Sequence, residues 1–504
     1  MESIVSWLIF LPILCGIGLF YANIKEDDFY RSSGLAVSVG VFFISLALLG
    51  GDYEAGGFVF VQHFQWIPQL GVNYLVGVDG ISLYLVLLTT IIFPIAFLSM
   101  QNIVKERVKE FVALLLILEG GIIGVFVSLD LVLFYVFWEV MLIPSYFLIG
   151  LWAEKDKFYT AIKFVVYTLV GSLLFLVAII IIGVVHFKQT GTLTFNLIEL
   201  QNTVFGDRLQ YMLFAFFALA FCIKIPLFPL HSWMPHAYIK SSIPMVIVLT
   251  GIMSKTGLYG LMRFNFTLFP SISHEVSGLF LVLAMAGIIY GAWCAIGQDD
   301  VKGIAAYSSL SHLSFVLLGM FAFNSIGESS AVLQMFNHGI VSAGIFFYVG
   351  LIEERVGDRK LSSVKMLSSN APILSGFFFV IVLAALGLPG LNNFVGEFLL
   401  LLGLWTTEAV SFAPMVVYIS VVAIVFASIY MLFMYQGLMY EKPEGTATEI
   451  PEIKGKELSA IIPICFFIIY IGLYPASLTN TINASTDKLV TSIHKEIKVS
   501  ENKE

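Results

Sequence analysis

Two lysines lie inside apolar runs: Lys224 in "FCIKIPLFPLHSW" and Lys255 in "GIMSKTGLYG". Carboxylates occur in the same setting: Glu119 in "LLLILEGGIIG", Glu139 in "FYVFWEVMLIP" and Glu397 in "NNFVGEF". Imidazoles join them. His231 follows the prolines beside Lys224, His312 lies in "AAYSSLSHLSF", and His338 lies in "MFNHGIVSAG". A charge at the centre of a membrane helix costs about 2.5–3.5 kcal/mol on insertion scales. Such groups must face one another or water rather than lipid. Amine, carboxyl and imidazole are also the side chains that exchange protons. In general, a lysine removed from water holds its proton less firmly, and a neighbouring carboxylate restores the hold. A set of this kind can therefore store and pass protons. The plainer reading is a group of ion pairs that only fix helix packing, since a lone buried histidine is more often a satisfied core residue. Histidines interleaved with buried lysines and glutamates favour the relay. The candidate site is Glu139, Lys224, Lys255, Glu397, His231, His312 and His338.

Helices must hold these residues. Of 504 residues, 59% are hydrophobic and 12% charged, whereas soluble domains carry about 25% charged residues. The composition predicts an all-α polytopic membrane protein. A crossing needs roughly 20 apolar residues, and the chain offers about fourteen such segments, from 4–22 to 458–477. Two of them are interrupted. One breaks at Pro226 and Pro229, next to Lys224. The other breaks at Pro389 and Gly390 in "LGLPGLNNFVGEF", before Glu397. A proline inside a crossing frees backbone groups that protein or water must satisfy. Paired broken helices in two halves of a chain point to an inverted-repeat transporter with its site at mid-membrane. The expected divisions are 1–110, 111–264, 265–440 and 441–504.

The connecting segments are less informative. Residues 51–75, rich in glycine and aromatics, suggest a small extramembrane hairpin, and the tail beyond about 480 reads as polar and partly helical. Asp79 and Asp130 read as helix-start residues, and Asp299 and Asp300 as solvated. Alternate loops carry most of the basic residues, including Lys105, Lys155, Lys240, Lys302, Arg359 and Lys442. The opposite loops carry Lys188, Arg208 and Arg263, and further lysines follow in the tail. The positive-inside rule makes the first set cytoplasmic and puts both termini outside.

No P-loop or dinucleotide fingerprint is present. Cys15, Cys222, Cys294 and Cys465 are isolated, which argues against a local metal or iron–sulfur site. The opening "MESIVSWLIFLPILCGIGLF" lacks a basic start and a small-residue cleavage site, so it reads as a first helix rather than a signal. Nothing points to nucleic acid.

The motifs "VDGISL", "FWEVMLIP", "KFVVYTLVGS", "SKTGLYGLMRF", "AAYSSLSHLSF", "FNHGIVSAGIFF" and "LPGLNNFVGEF" together resemble the antiporter-like membrane subunits of respiratory complex I, over about residues 76–440. Within that family the M type is the best match. Related L-type and N-type subunits, and multi-subunit sodium/proton antiporters, generally carry lysine where this chain has Glu397. The resemblance implies about fourteen helices, with helices 4–8 and 9–13 as inverted five-helix repeats. It also implies a hydrated axis at mid-membrane. On that axis Glu139 would pair with Lys224, Lys255 would be central, and His312 and His338 would lead to Glu397. It further implies a proton-translocating subunit of an NADH–quinone oxidoreductase in the bacterial inner membrane, with L-type and N-type neighbours. FMN, iron–sulfur clusters and quinone would reside in partner subunits, and this chain would hold no cofactor. The alternatives are a cation/proton antiporter subunit and a membrane subunit of a hydrogenase or ferredoxin-linked complex. One stretch departs from the family: "MPHAYIKSSIP" stands where it usually reads close to "LPDAHxEAP", so His236, Tyr238 and Lys240 replace Asp, His and Glu.

Overall fold

The computed structural model describes residues 3–154, 156–365, 367–440 and 451–501. Lys155 and Lys442, counted above among the basic loops, lie outside the described residues. Among the described residues, twelve helices are long and apolar enough to cross a membrane. They are α1 (Ile4–Tyr21), α2 (Asp27–Gly50), α3 (Gly80–Ser99), α4 (Val108–Val127), α5 (Leu131–Trp152), α6 (Lys157–Thr190), α9 (Ile243–Leu268), α10 (Ser277–Ile296), α11 (Val301–Met320), α12 (Ser325–Val356), α15 (Ala413–Met439) and α16 (Gly455–Leu473). Two interrupted pairs complete the set. Helix α7 (Asp207–Lys224) is followed by α8 (Met234–Lys240), and α13 (Pro372–Ala385) by α14 (Asn392–Trp405).

The helices start where side chains satisfy their free N–H groups. Asp79 and Ser82 form a reciprocal capping box on α3. Asp130 accepts from Val132 and Leu133 at 3.0 and 3.1 Å, starting α5, and also from the Asn73 N–H at 3.1 Å. That second bond ties α5 to a hairpin in which β1 (Val59–Ile67) pairs antiparallel with β2 (Val72–Val78). The tail forms α17 (Ala476–Glu501). It lies against the hairpin end of the bundle, where Ser485 Oγ accepts from the Gly80 N–H at 2.9 Å and Ser477 O from the Tyr84 hydroxyl at 3.1 Å.

The core sits around α12 and α9, which are covered on all sides, with α3 and α11 nearly so. Helices α6, α10, α15 and α16 keep apolar faces turned outward, as lipid-facing helices do. Helix α9 contains two wider turns, Leu249–Met253 and Leu261–Asn265, on either side of Lys255. Glycine permits the close crossing beside it. A Cβ on Gly257 would stand 2.6 Å from the Phe221 carbonyl oxygen of α7.

Three expectations are corrected here. Arg263 is not a loop residue: it is buried in α9 and pairs with Asp79 at 2.6 Å. Lys302 is wholly buried at the start of α11 and bonds Glu154 at 2.8 Å. Asp299 and Asp300 are not merely solvated. Asp300 caps α11 and pairs with Arg359 at 2.9 Å, and Asp299 accepts from the Ser362 hydroxyl at 2.9 Å. All depend on partners distant in the chain, which local hydropathy does not register.

Candidate proton-transfer site

Lys255 lies within α9 between its two wide turns. A wide turn shifts the backbone register, and the Ser254 N–H reaches back to the Leu249 carbonyl, as in the single-turn π-bulges common at functional sites. The Lys255 ammonium donates to the Thr250 carbonyl and to His338 Nδ1, the latter at 2.7 Å. An ammonium only donates, so His338 Nδ1 accepts while Lys255 is charged.

His338 belongs to α12 and faces His312 of α11, with ring centroids 5.7 Å apart. A small void beside the two rings is lined by Ser308, Ser309, Ser342 and Asn393. His312 Nδ1 meets Glu397 Oε1 at 2.9 Å. Gln334 Nε2 donates to the same oxygen at 3.4 Å. Glu397 lies in the second turn of α14, just past the break. Its other oxygen, Oε2, lies against Gly387, where a Cβ would come within 3.0 Å. Gly387 has φ +71°, a conformation that favours glycine. The break thus both turns the chain and makes room for the carboxylate. Lys255, His338, His312 and Glu397 form one line across α9, α12, α11 and α14, and all four are buried.

Lys224 closes α7 at the first break and is buried. Its ammonium stands over the rings of Trp138 and Phe164, 5.4 Å from each centroid, a position the negative face of an aromatic ring favours. The expected direct pair with Glu139 is not made. No Glu139 oxygen lies within 4.0 Å of the ammonium. Glu139 is half-buried, and its Oε1 has no hydrogen-bond partner among the described residues.

His231 stands apart from this line. Its ring packs 5.5 Å from Phe228 and 4.8 Å from Tyr290, and its Nδ1 has no partner among the described residues. Glu119 is also separate, accepting from Ser38 at 3.0 Å between α4 and α2. Glu328 was not singled out from the sequence. It is fully buried near the start of α12, and neither carboxylate oxygen has a partner among the described residues. Its setting "NSIGESS" reads as a polar loop, and only the extension of α12 back to Ser325 puts it inside the bundle.

Residues 128–427 match the family described as NADH:quinone oxidoreductase/Mrp antiporter, TM, and residues 12–123 match NADH-ubiquinone oxidoreductase chain 4, amino terminus. NADH-quinone oxidoreductase subunit M of Rickettsia prowazekii (strain Madrid E) is 34% identical over 496 residues, 97% of this chain and 98% of the relative. The Escherichia coli (strain K12) protein of the same name is 35% identical over 495 residues, 95% of this chain and 96% of its own. A chain of respiratory complex I from Thermus thermophilus superposes with TM-score 0.87 at 27% identity, covering 97% of this chain and 99% of that one. The Mrp complex from Dietzia sp. DQ12-45-1b shares the fold, with TM-score 0.84 at 21% identity and coverage of 98% and 99%. This chain therefore belongs to the NADH:quinone oxidoreductase/Mrp antiporter family of membrane subunits.

Proposed function

We propose that this chain is the M-type proton-translocating membrane subunit of an NADH–quinone oxidoreductase. The carrying observation is the row of buried groups from Lys255 through His338 and His312 to Glu397, hydrogen-bonded at both ends, with the two imidazole rings 5.7 Å apart in the middle. Its members alternate amine, imidazole, imidazole and carboxylate, which can pass a proton stepwise. Lys255 gives a proton to His338 Nδ1 and becomes a neutral amine. A water between the rings bridges His338 to His312, and Glu397 receives the proton beside the break. Lys224 and Glu139 act at the other end. The gap between them is a second state of the pair: closing it favours the charged lysine, and opening it releases the proton. His231 then serves the first break rather than the line itself.

The oxidoreductase reading is favoured over a stand-alone cation/proton antiporter because curated relatives near 34% identity over almost the whole chain bear its name. Electron transfer at flavin, iron–sulfur clusters and quinone belongs to partner subunits, and L-type and N-type neighbours flank the chain in the inner membrane. The basic loops face the cytoplasm and the termini face outward. Residues 111–264 and 265–440 form the two inverted repeats, one around each broken helix, with 1–110 and 441–504 flanking them.

Isolation of the assembled complex through this chain tests the reading. Co-purification of flavin- and iron–sulfur-bearing subunits with NADH–quinone activity is expected. A complex without redox subunits that exchanges sodium for protons would replace it with the antiporter reading.

A further inference from the structure

The proton line has a gap at its centre, where the rings of His312 and His338 stand 5.7 Å apart. A void of about 10 Å³ lies beside them, close to the least that one water needs. Its wall is polar. Ser308, Ser309, Ser342 and Asn393 line it together with the two rings. Ser309 Oγ, both amide atoms of Asn393 and His312 Nε2 are buried with no hydrogen-bond partner among the described residues. Buried polar groups are normally paired, and ordered water supplies the partner where side chains do not.

One group on this wall is held from behind. Tyr430 of α15 is buried, and its hydroxyl donates to Ser308 Oγ of α11 at 3.0 Å. A serine within a helix can donate to the carbonyl four residues back, as Ser314 does to Leu310 on the same helix at 2.9 Å. Ser308 makes no such bond, and its hydroxyl donates to no other group among the described residues. With Tyr430 on its oxygen, Ser308 keeps its own hydrogen for the void.

The ends of the line fix the hydrogens of both rings. While the Lys255 ammonium donates to His338 Nδ1, a neutral His338 carries its hydrogen on Nε2. While an ionised Glu397 accepts from His312 Nδ1, a neutral His312 leaves Nε2 bare. A water between the rings then accepts from His338 and donates to His312. We propose that Tyr430 is a positioning residue for this step: it turns the Ser308 hydrogen toward the void, where that hydrogen takes the water's second lone pair. Both hydrogens of the water must then point away from Ser308, one of them at His312 Nε2. This role rests on the proton line proposed above. Lys255 gives a proton to His338 Nδ1, and His338 releases the one on Nε2 to the water. The water passes one of its own to His312 Nε2, and His312 releases the one on Nδ1 to Glu397 Oε1. Lys255 ends as an amine and Glu397 as a carboxylic acid, with water and Ser308 unchanged. Without the Tyr430 hydroxyl, the Ser308 oxygen competes with His312 for the water's hydrogens.

The test uses the intact complex in proteoliposomes with NADH, in light and in heavy water, and reads the initial rate of gradient formation per assembled complex. A neutral hydrogen bond is worth about two- to tenfold, so Tyr430→Phe and Ser308→Ala are each expected to slow the gradient by about that factor. The double variant should be no slower than either. Each should also raise the ratio of light-water to heavy-water rates above wild type, because a misdirected water makes proton transfer the slow step, whereas a packing defect does not. Ser308→Ala serves if Tyr430→Phe does not assemble. A wild-type rate in either variant, an additive double variant, or a slow variant with the wild-type isotope ratio overturns the role of Tyr430. With His312→Leu slow, the proton line stands in each of these cases. A wild-type rate in His312→Leu overturns both.

Discussion

Lys255 and His338, 83 residues apart in sequence, share a hydrogen bond of 2.7 Å in the middle of the bundle. The contact joins α9 to α12, the two helices most completely covered by others. A donor that can give up its proton thus faces an acceptor that can take it. Leucine at position 338 keeps much of the bulk and removes both ring nitrogens. Since a positioned acid–base group is worth about 10²–10⁴-fold in rate, His338→Leu should slow redox-driven proton pumping by at least about tenfold. Quenching of a pH-gradient dye in membrane vesicles measures this.

Glu397 ends the line through its 2.9 Å contact with His312. Glu397→Gln keeps the shape and removes the charge, so pumping should fall as far as in His338→Leu. Glu397→Asp keeps the charge and withdraws it by one methylene from His312, so an intermediate rate is expected. The initial rate of gradient formation in the two variants, at equal amounts of assembled complex, gives the order.

The Asp79–Arg263 pair is structural. It is buried at 2.6 Å, and Tyr259 packs against it: its ring lies 5.1 Å from the guanidinium and its hydroxyl accepts from Arg263 Nε at 3.1 Å. Removing one member leaves a buried charge unpaired, at about 3–5 kcal/mol. Asp79→Ala and Arg263→Met should each lower the temperature at which the complex comes apart, and the double variant should recover part of the loss. Residual assembled complex after graded heating, followed by size-exclusion chromatography, reports it.

Gly257 lets α9 approach α7 beside Lys224. A Cβ would meet the Phe221 carbonyl oxygen at 2.6 Å and the Ile225 nitrogen at 3.0 Å, both backbone atoms that cannot swing aside. Gly257→Ala should therefore cost about 1–3 kcal/mol of overpacking and displace the end of α7 that carries Lys224. Reduced heat resistance together with slower pumping is the expected result. Gly18→Ala, with nothing within 4 Å of its Cβ, should leave pumping intact.

Glu452 lies outside the crossings and accepts the Ile373 and Leu374 N–H groups at 2.9 and 3.0 Å, at the start of α13. Burial pushes its carboxyl up, but backbone N–H groups of Ile453, Ile373 and Leu374, with Arg355, outweigh burial and hold it below the ordinary value. A carboxylate with a lowered folded value stabilises above its unfolded value, near about 4.3, and that stabilisation is lost as pH falls through the folded one. Hydrogen exchange at Ile373 and Leu374, corrected for intrinsic rates, should quicken below that range. Glu452→Gln should show weaker protection at neutral pH and lose the pH dependence.

Much of this arrangement is legible in the sequence because a charge inside an apolar run has few tolerable environments. Lys224, Lys255, Glu397, His312 and His338 announce themselves in that way, and the prolines beside Lys224 and Glu397 announce the breaks. Partner choice is not legible in the same manner. Asp79 reads correctly as a cap, yet its second role depends on Arg263, 184 residues away, and nothing local to either residue joins them. Depth misleads too: Lys302 opens a helix in sequence but is covered in space by Glu154 and Ser241. Glu139 and Lys224 have opposite charges, but side-chain reach depends on how α5 crosses α7, and the ammonium instead lies over the Trp138 and Phe164 rings.

The central claim is that Lys255 and His312 act in series on one proton line. The direct measurement is the number of protons translocated per NADH oxidised by the intact complex in proteoliposomes, for Lys255→Met, His312→Leu and the double variant. Steps in series are non-additive, so each single variant should lower the ratio and the double variant should lower it no further. A wild-type ratio in either single variant, or a double variant that loses the sum of the two, would contradict the account.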